Sequence, residues 1–288
     1  MVEEQVELEK IKEFIVKGLE EDVKQGDHTS LACIPSDNID RAKLLIKEDC
    51  VIAGIELAKH IFKHVDPNAK IDVLMDDGTE VKYGDIVFTV SCNSQALLQT
   101  ERLVLNSMQR MSGIATLSRQ FKNEVADLPV TILDTRKTTP LIRFLEKWAV
   151  RIGGSSNYRD GLYDWIMIKD NHIDACGSIP KAIQKVRDYF EANNMKLGMT
   201  VEVRNLNELK QTMEHGKGVV TRIMLDNFDL DVMKQAVEIV GDDYEVEASG
   251  GITMETVRNV ALTGVDFISS GAITHSSKSK DMSLKIIK

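Results

Sequence analysis

Beyond residue 125 the chain repeats one pattern: a short apolar run that stops on polar residues, followed by a segment that mostly has helical period. The runs are VTILD, DWIMIKD, MTVEVR, TRIMLDN, YEVEAS and VDFISS. Short apolar runs alternating with helices imply βα units and a mainly parallel sheet or barrel. The helices carry recognisable ends. Pro140 stands near the start of TPLIRFLEKWAVRIGG, which stops at Gly153-Gly154; Ser178 and Pro180 open SIPKAIQKVRDYFEANN; Thr253 opens TMETVRNVALTG, which stops at Gly264.

The strand ends narrow the choice. In order they carry Asp134 with Arg136 and Lys137, Lys169 and Asp170, Glu202 and Arg204, Asp226 and Asn227, Glu247 and Ser249, and finally Ser269, Ser270 and Gly271. One ionisable group after a strand is a solvated loop, but a succession of them describes a rim. In a β/α barrel all carboxyl ends converge on one mouth, where the active site sits. A doubly wound open sheet would gather them less evenly, so the expected fold is α/β with a barrel of about six parallel strands.

The first third reads differently. RAKLLIKED, CVIAGIELA, KIDVLMDD and DIVFTVSCN read as strands, broken at Asp76-Asp77-Gly78 and Gly84-Asp85. SQALLQTERLVLNSMQRMSGIATLSRQF then reads as a long helix, with Leu98, Val104, Leu105, Met108 and Met111 near helical spacing. The expected organisation is an N-terminal domain over residues 1–115 and a barrel domain over 116–288. The opening residues are acidic and helical in period, with no apolar run long enough for a signal peptide or membrane span, so a cytoplasmic enzyme is expected. Cys33, Cys50, Cys92 and Cys176 lie far apart without metal-ligand spacing and read as free thiols.

A formal net charge of -9 argues against general nucleic-acid binding, so any positive cluster is local. Arg136, Lys137, Arg159 and Lys169 form such a cluster at the rim, and like charges gathered there call for an anionic ligand. Arginine forks onto carboxylate or phosphate, whereas lysine acts as a point charge. The competing reading pairs these bases with Asp134, Asp160, Asp164 and Asp170 in structural ion pairs. SGGIT at Ser249 to Thr253 and SSGAIT at Ser269 to Thr274 follow the last two strands; small residues there let backbone N–H groups approach a phosphate. Glu202 and Asp226 face the same mouth and suit Mg²⁺ or sugar hydroxyls, or alternatively pair with the rim lysines. The residues alone imply a Mg²⁺-assisted enzyme for a phosphorylated, multiply charged small molecule.

Together, TERLVLNSMQRMSGIAT, ILDTRKTTP, AVRIGG, IMIKDNHI, VEVRN, IMLDN, EASGGI and ISSGAIT resemble, in order, the quinolinate phosphoribosyltransferase family. The resemblance runs from GDHTS at Gly26 to the final strand. It implies an N-terminal α/β sandwich followed by an incomplete β/α barrel, assembled as a homodimer or a set of dimers. The implied reaction joins the phosphoribosyl group of PRPP to quinolinate with loss of CO₂, giving nicotinate mononucleotide and pyrophosphate in NAD biosynthesis. Carried over, Arg136, Arg159 and Lys169 would hold the quinolinate carboxylates, and Arg102 would reach in from the neighbouring subunit. Lys137, Glu202 and Asp226 would contact PRPP and its Mg²⁺, directly or through water, and Ser249, Gly250 and Gly271 would hold phosphate.

The chain departs from the family at Asn157-Tyr158-Arg159, where an Asn-His-Arg run is usual. Tyrosine can donate a hydrogen bond to a substrate carboxylate but stays neutral, with an ordinary pKa of about 10. That substitution leaves room for a related aromatic acid as substrate. Two other classes compete: a Schiff-base aldolase using Lys137 or Lys169, and a binding module, since VKYGDIVFTV resembles a biotinyl or lipoyl carrier hairpin without a lysine at the matching tip. His172, in KDNHI, reads equally well as a structural strand-end residue.

Overall fold

The computed structural model describes residues 2–287, with side chains from Leu8 onward. In chain order the elements are α1 (Val2–Asp22), α2 (His28–Cys33), β1 (Ile39–Ile46), β2 (Cys50–Val51), α3 (Ile55–Val65), β3 (Lys70–Val73), β4 (Glu80–Val81), β5 (Ile86–Asn93) and α4 (Ser94–Glu124). There follow β6 (Thr131–Leu133), α5 (Arg143–Gly153), β7 (Ile166–Ile168), α6 (Asp170–Cys176), α7 (Ile179–Ala192), β8 (Met199–Val203) and α8 (Leu206–Gly216). The chain closes with β9 (Arg222–Asp226), α9 (Leu230–Val240), β10 (Glu245–Ser249), α10 (Val257–Ala261), β11 (Phe267–Ser269), α11 (Ala272–His275) and β12 (Met282–Ile286).

These elements form two compact units, and the division is not a single cut. One unit comprises Met1–Arg119, Thr139–Gly154 and Ser277–Lys288; the other comprises Gln120–Thr138 and Ser155–Ser276. The first holds an antiparallel sheet in the order β12-β1-β5-β3 and a short β2-β4 pair. Two sequence expectations change here. The segment CVIAGIELA is a strand only over Cys50–Val51: Gly54 adopts φ +101° and starts α3, whose N-terminal Ile55 N–H is received by Asp77 Oδ1 at 3.0 Å. Buried Ile55, Leu57, Ala58, Ile61 and Phe62 then follow helical spacing. The last strand, β12, leaves the barrel and pairs with β1, Ala42 opposite Ile286.

Thr139, just past the Arg136-Lys137 pair, is held within the first unit. Its N–H and hydroxyl donate to Glu146 at 3.1 and 2.8 Å, while Arg110 Nη2 donates to the same carboxylate at 2.8 Å. Leu141 has φ +69°, so α5 starts at Arg143 and not at Pro140. Because β4 pairs with β2 while β5 pairs with β1 and β3, VKYGDIVFTV is not a carrier hairpin.

The thiols give a check on this packing. All four are free; Cys33 is exposed, whereas Cys50 and Cys92 are buried and burial pushes both up to about 11. The thiolate is the reactive form, so a raised pKa depletes it at pH 8. Labelling with a chromogenic disulfide at pH 8 is expected to modify Cys33 first and to reach Cys50 and Cys92 only after denaturation. Rapid native labelling of either buried thiol would contradict the packing of β2 or β5.

The second unit carries a six-stranded parallel sheet in the order β6-β11-β10-β9-β8-β7. The terminal strands β6 and β7 are not paired with each other; β6 instead makes an isolated parallel bridge from Leu133 to Ser156, ahead of β7, so the barrel is incomplete. Register stacks the inner residues in rows: Glu247 lies opposite Met224 and Phe267, and Ser249 lies opposite Asp226. Strand periodicity of two therefore turns Thr200, Glu202, Arg222, Glu247 and Phe267 to one side and the aliphatic residues between them to the other.

Candidate active site

The carboxyl end of β6 delivers the first cluster. Asp134 is fully buried, and its carboxylate receives Tyr158 N–H at 2.8 Å and the Asn157 side-chain amide. This ties the end of β6 to the segment bearing Arg159. Arg136 is half-buried, and its Nε is buried with no hydrogen-bond partner. Burial lowers the pKa of Arg159, and the charge of Arg136 lowers it further. Among the described residues neither Arg136, Lys137 nor Arg159 enters an ion pair, so the structural ion-pair reading fails for these three. An orphaned buried donor beside a second guanidinium is a costly arrangement unless an anion completes it.

Lys137 is exposed but its backbone is fixed. Its N–H donates to Thr135 Oγ1 at 3.0 Å, and its carbonyl accepts from Thr274 Oγ1 at 2.9 Å. A Cβ on Gly271 would lie 2.7 Å from Lys137 Cδ. The SSGAIT turn thus packs against this lysine, bringing together a cation and one of the small-residue turns. The other turn is equally tight: Gly250 has φ +97°, and a Cβ there would lie 2.4 Å from Asn227 Oδ1.

Lys169 ends β7 and pairs with Glu202 on β8, which is only 5% exposed. Here the expectation splits, since this lysine has the structural partner that the other bases lack. With its nitrogen engaged by a carboxylate, Lys169 does not stand free to attack a carbonyl carbon and is a poor candidate for a Schiff-base nucleophile. His172 accepts the Lys169 N–H through Nδ1 at 3.0 Å, closing the first turn of α6, which is a structural task. Asp226 ends β9 and accepts from the side chain of Asn227 at 2.8 Å. Among the described residues no group of three or more His, Cys, Asp or Glu could hold a metal ion.

Below this rim lies a polar lumen that the sequence reading passed over. Arg222 is 7% exposed and donates to Glu245 at 2.9 Å and to Glu247 at 3.2 Å; its guanidinium lies 3.6 Å from the Phe267 ring centroid and 5.2 Å from that of Tyr158. Tyr158 OH and Thr200 Oγ1 are 2.6 Å apart, and Trp165 Nε1 donates to the same Thr200 oxygen at 2.9 Å. Burial and then the charge of Glu247 hold the Tyr158 phenol well above its ordinary pKa, and burial likewise raises Glu247. The signal was present as polar residues at every second position of TVE and EVEAS, and as Arg222 and Asp226 at the two ends of RIMLD.

Sequence models for the two domains of quinolinate phosphoribosyl transferase match this chain, the N-terminal domain over residues 27–112 and the C-terminal domain over 114–285. The chain belongs to the quinolinate phosphoribosyltransferase family. It is 45% identical to quinolinate phosphoribosyltransferase [decarboxylating] 2, mitochondrial, of Nicotiana glauca, across 96% of this chain and 82% of that one. A probable nicotinate-nucleotide pyrophosphorylase [carboxylating] of Synechocystis is 39% identical, across 96% and 92%. Among solved structures, NadC from Streptococcus pyogenes superposes with a TM-score of 0.89 at 35% identity, across 96% and 97%. The nicotinate-nucleotide pyrophosphorylase of Francisella tularensis gives 0.89 at 34%, across 97% and 96%.

Quinolinate phosphoribosyltransferase membership gives the mouth its context. Arg136, Lys137, Tyr158, Arg159, Lys169, Glu202, Asp226, Ser249, Gly250 and Gly271 all belong to the second unit, at or beside the strand ends. Arg102 is exposed on α4 within the first unit. No described helix is long and apolar enough to cross a membrane.

Proposed function

We propose that this chain transfers the phosphoribosyl group of PRPP to the ring nitrogen of quinolinate, with decarboxylation, giving nicotinate mononucleotide, CO₂ and pyrophosphate. The observation that carries it is the pair Arg136 and Arg159: two guanidiniums in one electrostatic field, neither in an ion pair, one with a buried orphan donor. A planar dianion with adjacent carboxylates satisfies both forks at once. Lys169, steadied by Glu202, adds a third positive charge.

In the first step the ring-nitrogen lone pair forms the bond to C1′, and the C1′–O bond breaks with its electron pair leaving on pyrophosphate. Lys137 faces the departing charge from a fixed backbone, and preorganised charge of this kind lowers the barrier without a nucleophilic side chain. The backbone N–H groups around Ser249, Gly250 and Gly271 receive the phosphate that stays on the ribose. In the second step the C2–carboxylate bond breaks, CO₂ departs, and the electron pair left beside the quaternary nitrogen takes a proton from water. The pyridine nitrogen needs no general base.

Glu202 and Asp226 offer hard carboxylate oxygens suited to Mg²⁺, which they would hold, directly or through water, jointly with substrate oxygens. When bound, Mg²⁺ would neutralise pyrophosphate charge. The same reading includes a homodimer in which the exposed Arg102 of one subunit serves the other's mouth. It also includes a reducing, cytoplasm-like compartment, in keeping with four free thiols.

The test measures CO₂ released from carboxyl-labelled quinolinate with PRPP. Release is expected to match pyrophosphate one for one and to stop when Mg²⁺ is chelated. Turnover of nicotinate but not quinolinate would remove the acid assignment while sparing the phosphoribosyl half.

A further inference from the structure

Tyr158, read from sequence as a neutral donor to the acid, has its hydroxyl 2.6 Å from Thr200 Oγ1, in the lumen of the second unit. Thr200 is fully buried on β8, so this partner is fixed by the sheet. The same oxygen receives Trp165 Nε1 at 2.9 Å, and the carbonyl of Trp165 accepts Arg159 Nη1 at 3.1 Å. The backbone N–H of Tyr158 is anchored separately on buried Asp134. These bonds close a circuit: Tyr158 to Thr200 to Trp165 to Arg159, with Arg159 covalently next to Tyr158. The Tyr158 and Trp165 rings meet edge to face, centroids 6.1 Å apart.

Gly198 belongs to the same device. A Cβ there would lie 2.1 Å from the Trp165 ring, so the absence of a side chain at the start of β8 is what admits the indole. Gly198 and Thr200 thus seat the Trp165 side chain beside Tyr158, and the Trp165 backbone carbonyl is the acceptor that holds Arg159 Nη1. An arginine side chain has several rotatable bonds, and its fork recognises a carboxylate only when held in plane.

We propose that Tyr158 is a positioning residue and not a substrate contact: together with Thr200 and Trp165 it fixes the Arg159 guanidinium in the orientation that receives a carboxylate of the acid. This rests on the quinolinate reading above. It accounts for a tyrosine at a position where the family usually has histidine, because the longer side chain reaches Thr200 across the lumen. Acid selectivity at this corner is then set by the placement of Arg159, and not by a charge on residue 158.

The experiment compares Tyr158→Phe, Thr200→Val, the double variant and Thr200→Ser in the full-length protein, measuring kcat and KM for quinolinate and for PRPP. Tyr158→Phe removes the phenol's link, Thr200→Val removes the oxygen that Tyr158 and Trp165 share, and neither changes side-chain shape much. Each is expected to raise the quinolinate KM about 3- to 10-fold, the size of one hydrogen bond, with kcat and the PRPP KM within about twofold. The double variant should be no worse than the poorer single variant, and Thr200→Ser, which keeps the hydroxyl, should behave as the parent. A Thr200→Val protein with normal kinetics beside an impaired Tyr158→Phe protein would overturn positioning through Thr200 and assign the effect to another contact of the phenol, its hydrogen bond to Glu247 or the acid itself. Multiplying effects in the double variant would mean two independent roles, and unchanged constants throughout would remove the role altogether. If Thr200→Val fails to fold, Trp165→Phe breaks the same circuit at the indole and carries the same expectations. Parent protein that ignores quinolinate would sink the activity reading itself, a result separate from all of these.

Discussion

Arg136→Ala is expected to lower kcat/KM for quinolinate by about 10³-fold, the equivalent of about 4 kcal/mol, while leaving the melting temperature unchanged or slightly raised. The two halves of this expectation come from one observation. Arg136 makes no ion pair among the described residues and buries an Nε without a partner, so folding gains little from its side chain. Its charge also adds to the lowering of the Arg159 pKa that burial begins, so removing it relieves a repulsion in the free protein. A structural arginine behaves in the opposite way: breaking a buried pair by removing one partner costs about 3–5 kcal/mol of stability. Steady-state kinetics and thermal melts on one preparation separate the two. A variant that melts several degrees lower while keeping most of its quinolinate activity would make Arg136 part of the scaffold.

The contrast with Arg222 explains why some candidate site residues could be read from sequence and others could not. Arg136, Lys137 and Lys169 announce themselves because they interrupt apolar runs at the strand ends, where the barrel geometry gives a position its meaning. Arg222 begins a strand, and its partners Glu245 and Glu247 lie on the neighbouring strand, a pairing that only the β9–β10 register reveals. Tyr158 was legible as a departure in residue type, but the direction of its ring depends on Thr200, which lies 42 positions away in sequence. Its orientation is therefore set by tertiary contacts and not by its neighbours in the chain.

The same distinction applies to the fold. The six parallel strands were readable because each is a local apolar run with its own punctuation. The strand reading of CVIAGIELA failed because a short apolar run does not distinguish a period of two from 3.6, and Gly54 at positive φ decided the matter. β12 was missed for a different reason. Its partner β1 lies at the other end of the chain, and nothing local in MSLKI tells which sheet it joins. Similarly, Arg102 sits on an exposed turn of α4 with nothing in its spacing to separate it from a solvated residue.

Gly250→Ala is expected to raise the KM for PRPP at least about 30-fold and to lower the melting temperature by several degrees, with the neighbouring Gly251→Ala as its control. Both glycines adopt positive φ, +97° and +59°, so either alanine meets backbone strain of roughly 1–3 kcal/mol. They differ in what the new methyl group meets. At Gly251 nothing lies within 4 Å, whereas at Gly250 it falls 2.4 Å from Asn227 Oδ1 and 2.7 Å from Asn227 N. The backbone atom cannot swing aside as a flexible side chain would, because Asn227 N–H is already bonded to the Ser249 carbonyl at 3.0 Å. Overpacking of this kind adds about 1–3 kcal/mol. Relief would require β9 and β10 to separate at their carboxyl ends, moving Asp226, whose carboxylate accepts from the Asn227 side chain, together with the amides around Ser249. The damage should thus fall on the phosphoribosyl donor and spare the acid, which is assigned to Arg136, Arg159 and Lys169. Equal losses in the two alanine variants would show that positive φ alone is responsible. A loss confined to Gly250→Ala would show that the close approach of two strand ends builds this phosphate cradle.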